Sequence, residues 1–582
     1  MTRYLVTSAL PYANGPIHFG HIAGAYLPAD LYVRWLKMTG EEVLYVCGTD
    51  EYGVAITLQA DQEGEEYRDY VDRWHQEIKS TFDQFRIEFD AWSGTARCPH
   101  HVSASQKFFT TLLKKGFVQE KTTSQWYSED LERFLPDRYL EGTCPECAHP
   151  EARGDECPKC GMWIDASQLV NPVCTIDSSK PVLRESLHWY LDLPALKENG
   201  LAAWYEGEDA ERPHRPWKPN VAGHVEAMLK DIKERPITRD LPWGVPVPKD
   251  IESAEGKVLY VWFDAPVGYI SATMEWAESK GEPDAWKTWW QSPDSRLVHF
   301  IGKDNIAFHA VVFPSMLLGQ GNAWDGEPFV LPWAVPANEF YNLQGKKFST
   351  SSGWHLDSKA FFDSYSADAA RFHLVMTLPE TADSEFSWEG FQSTNNSLLA
   401  DKLGNFASRV LKFASKTFNN KVPHSSGVLD THPLLATADE AFEEIGIRIR
   451  EFEFRAAGQA LMRGCDALNT FFDEQAPWKL AKGDTEDLVL CGEVVERCIA
   501  YLELLSRRMS PFCPDAAEAL RKMLGEAIGN SDSKWGPESK AQSPAQVIPG
   551  ATLGEPGILF AKIEDGTLQE EISRLEGAVP CE

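Results

Sequence analysis

Short apolar runs alternate with longer amphipathic stretches over roughly the first hundred residues. Tyr4 to Ala9 has a strand pattern, Ile22 to Met38 repeats its apolar side chains at helical spacing, and Val43 to Cys47 is again an apolar run. This alternation predicts a βαβ unit and a parallel sheet. From about Phe117 to Leu193 the rhythm breaks into short segments rich in Cys, Gly and Pro, as an insertion would. Strand patterns return near Val258 to Phe263 and Leu297 to Ile301, with a helix from about Phe308 to Leu318, so the insertion splits one α/β domain into two segments. Beyond about Phe391 strand patterns vanish and helical periodicity runs to about Ala527, which predicts a helix bundle. Asn530 to Gln546, rich in Ser, Gly, Pro and charge, reads as a surface linker before a tail from Pro549 to Glu582.

Composition narrows the class. The 582 residues are 43% hydrophobic and 25% charged, enough to bury large cores, and disordered or fibrous chains are excluded. No apolar run approaches the roughly 18 to 20 residues of a membrane span, and the best, Ala310 to Leu318, is broken by Pro314. The opening Met1-Thr2-Arg3-Tyr4 leads straight into a strand with no secretory pattern, so the expected location is the cytoplasm, with no membrane partner. With 87 acidic and 56 basic side chains the net charge is −31, which repels nucleic acid at long range. A nucleic-acid partner therefore needs a local basic surface.

One such surface is encoded. Lys402, Asn405, Arg409, Lys412 and Lys416 are spaced 3, 4, 3 and 4, which puts all five on one helical face beside an apolar stripe of Leu399, Leu403, Phe406, Val410 and Phe413. A second feature is Cys144-Pro-Glu-Cys147, followed after nine residues by Cys157-Pro-Lys-Cys160. Two Cys-x-x-Cys turns offer four thiolates to a tetrahedral zinc and leave no open coordination position, so the expected metal is structural. A third is Pro11-Tyr12-Ala13-Asn14-Gly15-Pro16-Ile17-His18-Phe19-Gly20-His21, between the first strand and the first helix. A turn from a parallel strand into a helix N-terminus presents free N–H groups to phosphate, and two imidazoles add donors.

This last string resembles the His-x-Gly-His signature of the class I aminoacyl-tRNA synthetases, and Leu10 to Gly15 is similar to the methionyl-tRNA synthetase family within them. The family's second signature, Lys-Met-Ser-Lys-Ser, has its counterpart in Lys346-Lys347-Phe348-Ser349-Thr350-Ser351, where Phe348 replaces Met and Thr350 replaces the second Lys. The resemblance implies a Rossmann-like parallel-sheet catalytic domain (1–116 and 231–325) split by a zinc-bearing connective insertion (117–230). A loop domain (326–390), an all-α helical-bundle anticodon-binding domain (391–529) and a linker and tail (530–582) follow. It implies His18, His21 and Lys347 as catalytic groups, and His18, Gly20, His21, Asp304, Lys347, Ser349 and Thr350 as the ATP site. It implies a methionine pocket of Leu10, Tyr12, Asp50, Trp262, Ala265, Pro266, Tyr269 and His309, with Asp50 holding the ammonium. Asn405, Arg409 and Trp478 match the family's anticodon contacts, and Cys144, Cys147, Cys157 and Cys160 its zinc ligands.

The implied activity joins L-methionine to tRNA(Met), elongator and initiator, by way of ATP with Mg2+ and a methionyl-adenylate. Some relatives add a dimerising C-terminal barrel, for which this chain has no room, so a monomer is expected. Two other readings stay open. A nucleotidyltransferase of the His-x-Gly-His type shares the first motif but needs neither a Lys347 loop nor a basic bundle. A zinc-ribbon RNA-binding protein leaves the first fifty residues without purpose. Synthetases for valine, isoleucine and leucine normally carry a large editing insertion, and the roughly 110 residues from Phe117 to about Lys230 are too few for that and a zinc unit.

Overall fold

The fold is taken from a computed structural model, which describes residues 2–154, 157, 159–160, 164, 166–348, 353–424, 429, 431–529, 534–535 and 547–577. The chain divides into two units. Met1–Pro16, Leu44–Ser80 and Phe89–Pro336 form the first, and Ile17–Val43, Thr81–Glu88 and Ala337–Glu582 form the second.

The apolar runs become the central sheet of the first unit. Its strands are β1 (Arg3–Ser8), β2 (Glu42–Thr49), β3 (Ala91–Gly94), β4 (Ser295–Gly302) and β5 (Pro332–Ala334), in the order β5-β4-β1-β2-β3. β1 runs parallel to β4, with Leu5 opposite Leu297 and Val6 opposite Val298, and all four side chains are fully buried. Continuous apolar strands of this kind suit a sheet covered on both faces. The chain lays down β1, β2 and β3 towards one edge and then returns to add β4 and β5 beyond β1. Strand order thus reverses between β1 and β4, the place where open α/β sheets bind ligands at the carboxyl ends of their strands.

The insertion is antiparallel. Val118–Ser128 pairs with Val182–Leu191 along its length, from Val118 opposite Leu191 to Tyr127 opposite Val182. Three short strands, Leu140–Thr143, Ala152–Arg153 and Val170–Cys174, carry the cysteine loops over a core that includes Leu135, Tyr139, Leu140 and Leu169. The strand expected from Val258 to Phe263 ends early. Lys257–Leu259 pairs with the three-residue Thr238–Asp240, and Val261–Asp264 is a helical turn that leads into the helix Val267–Ser279. Aromatic and β-branched residues favour strands only while a pairing partner lasts, and this one lasts three residues.

In the second unit, short turns over Phe19–His21 and Ile22–Tyr26 lead into α1 (Leu27–Thr39), which Gly40 ends in the left-handed conformation at φ 87°. The bundle contains α2 (Asn405–Thr417), the helix Pro433–Arg450, α3 (Phe454–Gln475) and α4 (Thr485–Met509). Asp484 starts α4 with a capping box, its carboxylate accepting from Glu486 and Asp487 N–H. The tail returns to this unit as an ordered strap. Trp535 is buried, and the amides of Asn395 and Asn396 donate to the carbonyls of Ala561 and Ile563 at 2.8 and 2.9 Å. The helix α5 (Asp565–Gly577) then buries Leu568 and Leu575. Most of the expected linker from Asn530 to Gln546 lies outside the described residues.

Candidate functional site

In the second unit, the His-x-Gly-His turn fixes its own tautomers. Gly20 N–H donates to His18 Nδ1 at 3.1 Å, and His18 N–H donates to His21 Nδ1 at 3.1 Å. A ring nitrogen that accepts cannot carry the proton of a neutral imidazole, so each ring keeps its hydrogen on Nε2. Burial lowers both pKa values, His21 to about 4 and His18 further because His21 and His355 add to the penalty. At neutral pH the turn therefore offers two uncharged Nε2–H donors. Gly20 is required for this arrangement: a Cβ there would lie 2.9 Å from His18 Cε1 and 3.1 Å from the Tyr341 carbonyl oxygen.

The rings of His18 and His21 stack at 3.8 Å, and Phe348 stacks on His18 at 4.5 Å with 9° between planes. Phe348, the departure from the usual methionine, thus extends the histidine pile. Lys347 is exposed, with its ammonium 5.4 Å from the Phe340 ring, and Lys346 lies over Trp354 at 4.6 Å. Ser349 and Thr350 fall outside the described residues.

The first unit gathers an aromatic cluster at the carboxyl ends of its strands. Leu10 and Tyr12 follow β1, Asp50 follows β2, and His309 lies beyond β4. Backbone hydrogen bonds tie the first two loops together: Asp50 N–H donates to the Pro11 carbonyl and Ala13 N–H to the Asp50 carbonyl, each at 2.8 Å. Tyr12 meets Trp262 edge-on at 6.2 Å, and Trp262 stacks on Phe308 at 3.9 Å. Ala265 and Pro266 form the turn into Val267–Ser279, and Tyr269 on that helix donates its hydroxyl to His309 Nε2 at 2.8 Å. His309 Nδ1–H donates to the Asn305 carbonyl at 3.1 Å, so this ring too is neutral, and burial lowers its pKa to about 4. Leu10 packs against Gly268, where a Cβ would come within 3.1 Å of Leu10 Cδ1.

Asp50 is 4% exposed, and among the described residues its carboxyl accepts one long bond, 3.5 Å from Tyr52 N–H. Burial, then Asp264 and Glu51, push its pKa well above the usual carboxylate range. Glu51 beside it is satisfied, accepting from Thr49, the Ala96 and Arg97 N–H groups and the Arg97 guanidinium. A buried carboxyl surrounded by acids and aromatic walls suits a ligand that brings its own cation. Asp304 sits in the turn after β4, where Gly302 leaves room for its carboxylate: a Cβ at Gly302 would lie 2.7 Å from Asp304 Oδ1. Phe308, His101 and Asp264 also belong to this region and were not singled out from sequence. Phe308 precedes His309 and could have been found by asking which ring would face Trp262. Asp264 stands between Trp262 and Ala265, which the resemblance assigns to the pocket, and His101 lacks a local signal.

The four cysteines converge. Their sulfurs all lie within 4.8 Å of one another, with Cys144 and Cys160 at 3.9 Å and Cys147 and Cys157 at 3.6 Å. Four thiolates about 2.3 Å from a tetrahedral zinc stand about 3.8 Å apart, so the cluster fits that ion. Although burial opposes it, backbone N–H groups of Cys160 and Lys159 hold the Cys157 thiol down to about 7, which favours the thiolate a metal needs.

On the bundle, Asn405 is exposed at the start of α2. Arg409 lies 5.6 Å from the ring of Trp478, which is 37% exposed. The basic face is partly answered by α3: Asp466 pairs with Lys402 at 2.7 Å and Asp473 pairs with Arg409. Phe413, expected in the buried stripe, is only half-buried, while Leu399, Leu403, Phe406 and Val410 are fully buried.

Comparison with known proteins gives the family. The family profile "tRNA synthetases class I (M)" matches residues 4–411, and "Anticodon binding domain of methionyl tRNA ligase" matches residues 422–579. A methionine–tRNA ligase from Protochlamydia amoebophila is 42% identical over 576 residues, covering 99% of this chain and 79% of that one. One from Rubrobacter xylanophilus is 45% identical over 536 residues, covering 89% of each. Among solved structures, Mycobacterium tuberculosis methionyl-tRNA synthetase in complex with methionyl-adenylate matches at a TM-score of 0.75 with 23% identity, over 96% of this chain and 100% of that one.

Proposed function

Since this chain belongs to the methionyl-tRNA synthetase family of class I, we infer that it is a methionine–tRNA ligase acting in two steps. In the first, a methionine carboxylate oxygen attacks the α-phosphorus of ATP, and the bond to the β-phosphate oxygen breaks to release pyrophosphate. In the second, the 2′-hydroxyl of the terminal adenosine of tRNA attacks the adenylate carbonyl, and AMP leaves. Neither step needs a covalent link to a side chain. The task of the protein is to position the reactants and to stabilise the charge that builds on phosphate.

The observation that carries this reading is the pair of neutral imidazoles, His18 and His21, each with its proton on Nε2. Such donors can follow negative charge onto phosphate oxygens without releasing a proton. Lys347 supplies a mobile positive charge for the departing pyrophosphate, with Ser349 and Thr350 as neighbouring contacts, and Asp304 serves the nucleotide. Asp50 takes the substrate ammonium, while Leu10, Tyr12, Trp262, Ala265, Pro266, Tyr269 and His309 enclose the thioether side chain. A sulfur against an aromatic wall gains only about 0.3–1.5 kcal/mol, so selection rests on several rings acting together.

Asn405, Arg409 and Trp478 read an unstacked anticodon base, with Trp478 as its stacking plane. Both elongator and initiator tRNA(Met) are the expected partners, ATP enters with Mg2+, and the protein works as a cytoplasmic monomer. Zinc, held by Cys144, Cys147, Cys157 and Cys160, fixes the fold of the insertion and takes no part in the chemistry.

The test is His21→Ala. Removing one donor aimed at developing charge should slow adenylate formation by roughly 10²–10³-fold. The methionine dissociation constant should stay within about threefold of the unmodified protein. Equal losses in both would contradict the assigned role.

A further inference from the structure

Asp264 is fully buried in the turn that also carries Trp262. Its Oδ2 meets His101 Nε2 at 3.1 Å, and His101 Nδ1 meets Ser271 Oγ at 3.0 Å. Ser271 already donates its hydroxyl to the Gly268 carbonyl at 3.2 Å, so it accepts from His101 Nδ1–H. With that hydrogen placed, and Ser105 Oγ farther from Nε2 at 3.5 Å, the closer contact between His101 Nε2 and Asp264 Oδ2 needs a proton of its own. Whichever atom carries it, the pair as a whole holds one proton and no net charge.

The other carboxyl oxygen is the unusual one. Among the described residues nothing bonds Asp264 Oδ1, although it is shielded from solvent. A buried oxygen left unmatched costs about 1–3 kcal/mol, so its partner is to be sought in something the chain binds. Contacts lead from this pair to Asp50: the His101 ring stacks on Tyr52 at 6.2 Å, and Tyr52 N–H donates to Asp50 Oδ1 at 3.5 Å. Asp264 adds to the burial that raises the pKa of Tyr12 after β1 and of Asp50 and Tyr52 after β2, while Glu51 acts on His101. Two of those, Tyr12 and Asp50, are the walls of the ammonium end of the pocket. The His101 ring lies in the same layer, its Cε1 3.9 Å from where a Gly268 Cβ would stand, beside Leu10.

We propose that Asp264, oriented by His101, is a second acid of the ammonium subsite beside Asp50, and that the proton shared by Asp264 and His101 passes to solvent when the substrate ammonium binds. Two neighbouring buried carboxyls cannot both ionise cheaply. An arriving ammonium removes that conflict: it supplies N–H donors to both acids and the shared proton leaves to buffer, while the remaining His101 hydrogen moves from Nδ1 to Nε2 to donate to Asp264, the Ser271 hydroxyl turns to donate to Nδ1, and the net charge of the site is unchanged. Methionine binding should then weaken as pH falls, because protons compete with the ammonium for the same site.

This inference rests on the methionine pocket proposed above. It is tested by calorimetric titration of the full chain with L-methionine at pH 7 in two buffers of different ionisation enthalpy, which counts protons released per ligand. The unmodified protein should release about one proton. Asp264→Asn, which keeps the shape of the side chain, should release close to none and bind methionine about tenfold more weakly. Asp264→Ala provides the same comparison should Asp264→Asn fold poorly, since it too removes the carboxyl. Release of no proton by the unmodified protein, or undiminished release in both variants, would overturn the proposal and leave Asp50 as the sole acid. Failure of the unmodified protein to bind methionine would instead overturn the pocket assignment itself.

Discussion

Arg371 gives the most quantitative check on the second unit. Its guanidinium is fully buried and donates to Asp30 Oδ2 at 2.7 Å and to the carbonyls of Pro511, Phe512 and Phe85 at 2.7, 3.1 and 2.9 Å. One side chain thus ties α1, the segment Thr81–Glu88 and the turn that follows the bundle helix α4. Arg371→Met keeps the apolar stem and removes the fork. Breaking a buried pair by deleting one partner costs about 3–5 kcal/mol. Here Asp30 retains Arg34 at 2.8 Å, which sets the ionic part near the lower end, and three carbonyls lose a donor. The expected loss is therefore about 3–4 kcal/mol. Read as hydrogen exchange at neighbouring amides such as Ile87 and Ala517, about 3 kcal/mol is roughly a hundredfold faster opening, at about 1.4 kcal/mol per tenfold. Arg371→Lys preserves charge without the fork and should fall in between. Exchange within threefold of the unmodified protein in Arg371→Met would refute the argument that this junction holds the unit together.

Three further predictions concern separate parts of the chain. Cys157→Ser should reduce bound zinc, measured by elemental analysis, from about one per chain towards none and expose Leu140 to Cys174 to protease, whereas unchanged metal content would dismiss the four-thiolate site. Trp478→Ala should weaken tRNA binding by about 1–3 kcal/mol, roughly fivefold to 150-fold in KM for tRNA, and leave adenylate formation without tRNA unaltered; a parallel loss in both would point to misfolding of the bundle. His309 has a folded pKa of about 4 against 6.5 when unfolded, so its contribution to stability is complete above about pH 6.5 and is lost as pH falls towards 4. The fall in melting temperature from pH 7.5 to 4.5 should be smaller in His309→Gln, and identical falls would show that His309 does not titrate as its burial requires.

What the sequence reveals depends on how local the cause is. β1 and β4 are legible because a buried parallel strand needs an uninterrupted apolar run, which Leu5-Val6 and Leu297-Val298 supply. The two histidines are legible because their geometry is set within four residues, each Nδ1 accepting from a backbone N–H of the same turn. The cysteine knuckles are legible for the same reason. Long-range partners are not. Lys402 and Arg409 read as a free basic face, and the acids that answer them, Asp466 and Asp473, lie 64 positions away in each case. His101 and Asp264 are 163 positions apart, and neither stands in a recognisable motif for the pair they form. The aromatic run from Tyr260 to Phe263 has high strand propensity, yet its partner ends after three residues and the chain turns helical. Trp535 falls in the stretch of linker-like composition and α5 in the tail beyond it, and neither is legible because two or three apolar side chains suffice to strap a tail to an existing core.

The central claim is that this chain makes methionyl-adenylate. Exchange of labelled pyrophosphate into ATP, run with each of the twenty amino acids and without tRNA, tests it most directly. The account predicts exchange that depends on methionine alone. Exchange driven by another amino acid, or by none of the twenty, would contradict it.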